Sequence, residues 1–206
     1  YLAKAGLRPL VVERGREVEQ RRGDVERFWR GGGFDPRSNV QFGEGGAGTF
    51  SDGKLTTGIS SPLCAYVLQA MAAHGAPQEI LYQAKPHIGT DHLTQMVRSI
   101  RQEIVRLGGE IMFETKLSDV RIENGVLCGV VLEGPQGCET LPCERLILAC
   151  GHSARDTFAL MRDLGAQMQR KPFSIGARIE HKQINVNRAQ FGAAAGHPAL
   201  GAADYK

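Results

Sequence analysis

Apolar residues in this chain come in short clusters separated by glycine, and the spacing inside each cluster predicts its element. Leu10, Val11 and Val12 form a run that stops at Glu13-Arg14-Gly15, which predicts a short buried strand. Residues 1–5 before it read as a helix tail closed by Gly6. From 14 to 30, charged side chains interleave at helical spacing around Val18, Val25, Phe28 and Trp29, so a solvated amphipathic helix is expected. Residues 64–74 predict a short helix ended by Gly75 and Pro77. A longer one is expected from Thr90 or Asp91 as N-cap, along a stripe of Leu93, Met96, Val97, Ile100, Ile104 and Leu107, to a stop at Gly108.

The pattern then changes to that of strands. Residues 110–114, 117–123 and 126–133 read as three strands, the last two joined by Asn124-Gly125, the strongest short hairpin signal, so a small antiparallel meander is expected. Residues 145–150 predict another short buried strand ending at Gly151. Ser153 and Asp156 have the spacing of a capping box for a helix over 154–164. Beyond Pro172, residues 174–181 alternate Ile175, Ala177 and Ile179 against Gly176, Arg178 and Glu180, which predicts a half-buried strand of a new sheet. The fold class is therefore α/β.

Composition narrows the function classes. A chain of 206 residues, 42% hydrophobic and 23% charged, is not a disordered tail. Its longest apolar runs fall far short of the roughly 18 residues that read as a membrane-spanning helix. A formal charge of +3 is too near balance to argue for nucleic acid or an anionic membrane, so neither is expected as a partner. Five scattered cysteines with no CxxC pair point to a reduced, cytoplasmic setting. Cys138 and Cys143 are the closest pair but flank an expected turn. His87 and His92 lack a third ligand at metal spacing, and no metal site is expected. The chain opens at Tyr1 without Met and reads as an internal piece.

Two stretches carry candidate chemistry. Glu13 ends the first strand, where it is either a plain strand terminus or the carboxylate that accepts hydrogen bonds from a dinucleotide's ribose hydroxyls. The phosphate turn of such a unit lies about 20 residues before the acid, upstream of residue 1 here. Residues 43–54, Gly-Glu-Gly-Gly-Ala-Gly-Thr-Phe-Ser-Asp-Gly-Lys, are either a surface loop or a diphosphate cradle. In a cradle, Gly45, Gly46 and Gly48 let the backbone approach an anion, with Thr49, Ser51 and Lys54 as further donors. They are not a Walker loop, because Leu55 stands where Ser or Thr is required.

Together, Glu13-Arg14-Gly15, QFGEGGAGTFSDGK at 41–54, KPHIGT at 85–90, GHSARDT at 151–157 and PFSIGARIEH at 172–181 resemble a bacterial family of FAD-dependent dehydrogenases within the glutathione-reductase-like flavoproteins. The resemblance implies a partial FAD-binding Rossmann-like domain of glutathione-reductase type over residues 1–160. It carries an antiparallel β-meander and lacks its N-terminal GxGxxG unit. Residues 161–206 would begin an inserted α+β substrate or cap domain. It further implies that Glu13, with Arg14 beside it, binds the FAD ribose and that the loop over 45–51 approaches pyrophosphate and flavin. The backbone near Lys116 and Leu117 would face adenine, and Ala149 to Gly151 would end a strand beside the cofactor.

The activity so implied is hydride transfer through FAD to or from a small-molecule substrate, with NADH or NADPH as candidate electron donor. His152 and Arg155 at a helix start, and Arg178 on the Gly176 face of its strand, are the candidate catalytic residues. Alternatives are a non-catalytic nucleotide-binding or partner-binding scaffold of the same fold, and a flavoprotein acting on RNA. The piece alone is expected to retain FAD poorly. Substrate and oligomeric state are not legible.

Overall fold

In the computed structural model, which describes all residues except 52, 84, 85, 173, 174, 178 and 204–206, the chain divides into two units, Tyr1–Gln167 and Met168–Lys206. The first opens with strand β1 (Leu10–Val12), followed by helices α1 (Val18–Trp29), α2 (Leu63–Ala73) and α3 (Thr90–Arg106). Strands β2 (Glu110–Met112), β3 (Lys116–Glu123), β4 (Val126–Gly134) and β5 (Gly137–Pro142) come next, then helix α4 (Arg155–Asp163).

Two small sheets result. β1 and β2 pair in parallel, Leu10 opposite Glu110 and Val12 opposite Met112, while β3, β4 and β5 form an antiparallel sheet in sequence order. Asn124 and Gly125, both at positive φ, make the β3–β4 turn as their sequence requires. The meander is therefore real, but its members differ from expectation. The stretch at 110–114 leaves it to pair with β1, and the third strand is β5, reached through a two-residue turn at Pro135-Gln136. A strand's partner is set by where α3 delivers the chain. Gly109 packs so tightly against the carbonyls of Ile104 and Pro9 that the chain leaving α3 comes alongside β1.

The main apolar core lies between α2, α3 and the segment joining them: Ala72, Ala76, Ile80, Ile88, Leu93 and Met96. A second contact buries Val18 and Val25 of α1 completely. Phe28 and Trp29, expected on the same stripe, are exposed. Gly89, rather than Thr90 or Asp91, is the N-cap of α3, without a side-chain bond.

Three further expectations are corrected. Residues 145–150 are not a strand. Ile147 is 72% exposed, and among the described residues no ladder forms there, so an apolar run without a neighbouring strand stays irregular. The capping box at Ser153 and Asp156 does not form. Ala154 is the N-cap of α4 with no side-chain bond, because Asp156 is drawn to Arg14 and Lys116 instead. The described part of 174–181 is irregular as well, with Ile175 and Ile179 exposed, since alternation makes a strand only where a second strand is at hand.

The second unit is built around helix α5 (Gln183–Phe191), which the sequence reading did not foresee. Gln183 donates to the Ala203 carbonyl and Asn187 accepts from the Ala203 N–H, tying the following segment back onto the helix. Among the described residues no helix is long and apolar enough to cross a membrane.

Candidate functional site

The C-terminal ends of the two parallel strands carry the candidate site. Past Val12, the Glu13 N–H donates to the Met112 carbonyl, and the pairing continues as Thr115 N–H to Glu13 O and Glu114 N–H to Gly15 O. Residues 13–15 and 113–115 thus leave β1 and β2 side by side. In open α/β sheets this is the edge where ligands bind.

The glycine-rich run reaches the same place. Gly15 is buried against it, and a Cβ at Gly15 would lie 2.5 Å from the Gly43 Cα. Glu44 N–H donates to the Arg16 carbonyl. The Glu44 carboxylate accepts from the Val18 N–H at 2.7 Å, so it satisfies the first turn of α1, which no cap residue of its own does. Burial pushes the Glu44 carboxyl up, against the opposing pull of the Val18 N–H and Arg101, and the net shift is upward. Arg101, on α3, gathers Glu17, Glu19 and Glu44 around one guanidinium.

Arg21 is the post around which the run is wound. Its side chain is fully buried and donates to the carbonyls of Asn39, Val40, Gly43 and Glu44, with the Phe50 ring 4.9 Å from its guanidinium. Burial lowers its pKa to about 10, with Glu13 and Glu44 resisting, so it stays charged at neutral pH. Four carbonyls of one loop therefore converge on a single planar fork, a task that suits arginine and not lysine. The sequence signal for it was available. Arg21 shares a helical face with the apolar Val18 and Val25, and a charge on that face must find partners.

The residues singled out from the sequence fall into two groups. Glu13, Arg14 and Leu117 gather at the strand ends. The Glu13 Oε1 accepts from the Gly15 N–H at 2.7 Å, and among the described residues Oε2 takes no hydrogen bond. Arg14 is committed to Asp156 at 2.6 Å and lies over the Phe42 ring. Lys116, beside Leu117, also reaches Asp156, at 3.3 Å. Desolvation pushes the Asp156 carboxyl up, but hydrogen bonds from Arg14 and Lys116, the Arg14 charge and the Thr157 N–H outweigh it, and the net shift is down. Asp156 thereby fastens the first turn of α4 to the ends of β1 and the start of β3.

Within the glycine-rich run, Gly45, Gly46 and Gly43 all have positive φ. Gly46 and Gly48 face open space, whereas Gly45 packs on Thr49 and Val97. Thr49 is buried and its hydroxyl has no hydrogen-bond partner among the described residues, and the Ser51 hydroxyl donates to the Gly48 carbonyl. The N–H groups of Gly46, Thr49 and Ser51 are used in the run's own turns. Lys54 bridges to His87 in an antiparallel contact. Ala149, Gly151, His152 and Arg155 are exposed on the approach to α4 and in its first turn. The His152 ring lies 3.4 Å from the neighbouring Ser153 hydroxyl. Arg178 lies outside the described residues.

These donors and acceptors fit the adenosine side of a dinucleotide. A half-buried carboxylate keeps one oxygen available for sugar hydroxyls, and at Gly46 and Gly48 the space a Cβ would take is empty, so a ligand can lie against bare backbone. Arg14 and Lys116 share the single carboxylate of Asp156, which holds both side chains in place, so backbone N–H groups of the glycine-rich run are the donors left to meet a phosphate there.

Comparison with known proteins adds a family match, a sequence relative and two structural likenesses. Residues 172–206 match the family model described as FAD-dependent protein, C-terminal domain-like. Over 205 residues the chain is 48% identical to a protein of Clostridium beijerinckii described as uncharacterized, an alignment that takes in 100% of this chain and 38% of that protein. The chain thus spans well under half the length of the curated relative it matches. In structure it resembles THI4 of Thermovibrio ammonificans, with TM-score 0.50 and 17% identity, covering 81% of this chain and 57% of that one. This likeness is one of fold. L-Amino acid deaminase from Proteus myxofaciens, solved in complex with anthranilate, stands further off at TM-score 0.45 and 12% identity, with 81% and 44% of the chains covered.

Proposed function

We propose that this chain provides the adenosine-facing wall of an FAD-dependent oxidoreductase of glutathione-reductase-like kind, acting on a small molecule. The observation that carries the reading is the meeting of Glu13 and the glycine-rich run at the C-terminal edge of two parallel strands, with Gly15 and Gly43 in backbone contact. The match of residues 172–206 to a family described as FAD-dependent supports the choice of dinucleotide.

On this reading Glu13 Oε2 accepts from the adenosine ribose, while Oε1 stays on the Gly15 N–H and holds the carboxylate in place. Gly46 and Gly48 give the pyrophosphate close access to backbone N–H groups. Arg21 keeps the run in one shape, and Asp156 holds α4 and the β3 start against the same edge. Bound flavin supplies the hydride-accepting chemistry. His152 and Arg155, exposed at the α4 start, are the residues we assign to the substrate side.

The reading is tested on the protein purified as its cell makes it. Visible flavin absorbance is expected, and it should bleach under anaerobic conditions with a reduced donor, NADH and NADPH being tried first. A preparation that stays colourless after incubation with FAD contradicts the proposal. Bound flavin that no donor reduces would leave a nucleotide-binding scaffold without catalysis.

A further inference from the structure

Cys128 and Cys143 stand opposite each other in backbone register just past the end of the β4–β5 ladder. Gly129 pairs with Pro142, so the next step along the register sets Cys128 opposite Cys143. The Cys143 N–H donates to the Cys128 carbonyl at 3.1 Å. Residues directly opposite on an antiparallel ladder share a face. Both cysteines line one shallow depression, with Val126, Leu127, Pro142 and Glu144. In a hydrogen-bonded pair the Cα atoms stand about 5.5 Å apart, inside the roughly 4.4–6.8 Å that a disulfide spans.

On its other edge, β4 is irregular at Cys128. The register against β3 slips between Arg121 and Ile122, which oppose Gly129 and Leu127, leaving Cys128 as the extra residue of a bulge. Its thiol donates to the Arg121 carbonyl at 3.3 Å, and the Cys143 thiol donates to the Arg145 carbonyl at the same distance, both cysteines being half-buried. All five cysteines are free. Cys138, nearest to Cys143 in sequence, sits opposite Glu133 at the far end of the ladder.

We propose that Cys128 and Cys143 are a redox modification site, a dithiol oxidised reversibly to a cross-strand disulfide by low-molecular-weight disulfides such as oxidised glutathione. One cysteine thiolate attacks the reagent's S–S bond, forms a mixed disulfide and releases one thiolate. The second cysteine thiolate attacks the protein sulfur of that mixed disulfide, closes the Cys128–Cys143 bond and releases the other thiolate. Two electrons pass to the reagent, and the two protons given up by the cysteines end on the two released thiols. The bond would staple the end of the β4–β5 ladder, next to the bulge.

The test is incubation of the purified protein with oxidised glutathione, followed by thiol counting and non-reducing peptide mapping. Two of the five thiols within these 206 residues should disappear without retained glutathione. The map should show a peptide linking 128 to 143, and dithiothreitol should restore the count. Cys128→Ser and Cys143→Ser should each keep glutathione on the remaining partner, while Cys138→Ser behaves as wild type. Stable glutathione on both Cys128 and Cys143, no reaction at either, or a bond through Cys138 would overturn the proposal. The wild-type map decides the matter even if a variant fails to fold.

Discussion

Gly15 and Gly43 touch backbone to backbone: a Cβ at Gly15 would sit 2.5 Å from the Gly43 Cα and 2.7 Å from its nitrogen. The contact joins the end of β1 to the glycine-rich run. Gly15→Ala must therefore push main chain rather than a flexible side chain, at a cost of about 2 kcal/mol. Gly48→Ala, where the space is open, should leave folding unchanged. Urea unfolding midpoints of the two variants check both statements, and equal midpoints would mean that the run does not pack on β1.

Arg21 should matter more to stability than any other charge in α1. Arg21→Met keeps the stem but leaves the carbonyls of Asn39, Val40, Gly43 and Glu44 without their donor, and a loss of about 3 kcal/mol is expected. Arg21→Lys should recover little, because an ammonium cannot fork to four carbonyls. Limited proteolysis should then cut within residues 31–61 in both variants and spare the wild type.

Asp156 should give the fold an acid-sensitive link. Its folded-state pKa is depressed, so its contribution is present above the ordinary carboxyl range and disappears as pH falls through the depressed value. The carboxylate is 44% exposed on its side chain, which limits the effect to about 0.5–1 kcal/mol. The stability gap between wild type and Asp156→Asn, measured by denaturant unfolding, should be open at neutral pH and close on acidification. A gap that widens on acidification would contradict the assignment.

Local signals in the sequence served where the structure is local. Asn124-Gly125 makes its hairpin and Leu10–Val12 its strand, although Leu10 and Val11 are exposed where a buried strand was expected, and α1 and α3 fall close to their apolar spacing. What escaped was decided by distant partners. The stretch at 110–112 looked like a meander strand until α3 set it beside β1, and Asp156 left its expected cap for Arg14, far away in the chain. Of the candidate site, Glu13 and the glycines were readable because strand ends and glycine runs leave marks in one dimension. Arg21 was marked as a charge on the Val18–Val25 face, but its carbonyl partners and the Glu44 contact with α1 were not readable, since each depends on a loop folding back onto a helix.

The central claim is that Glu13 and the glycine-rich run face the adenosine half of one bound FAD. Titrating FAD and FMN, by flavin fluorescence, against wild-type protein and Glu13→Gln separates that half from the flavin, because FMN has no adenosine. The expected result is FAD binding weakened about tenfold or more with FMN binding unchanged. FAD affinity unaltered in a folded variant, or an equal loss for both flavins, would contradict the account.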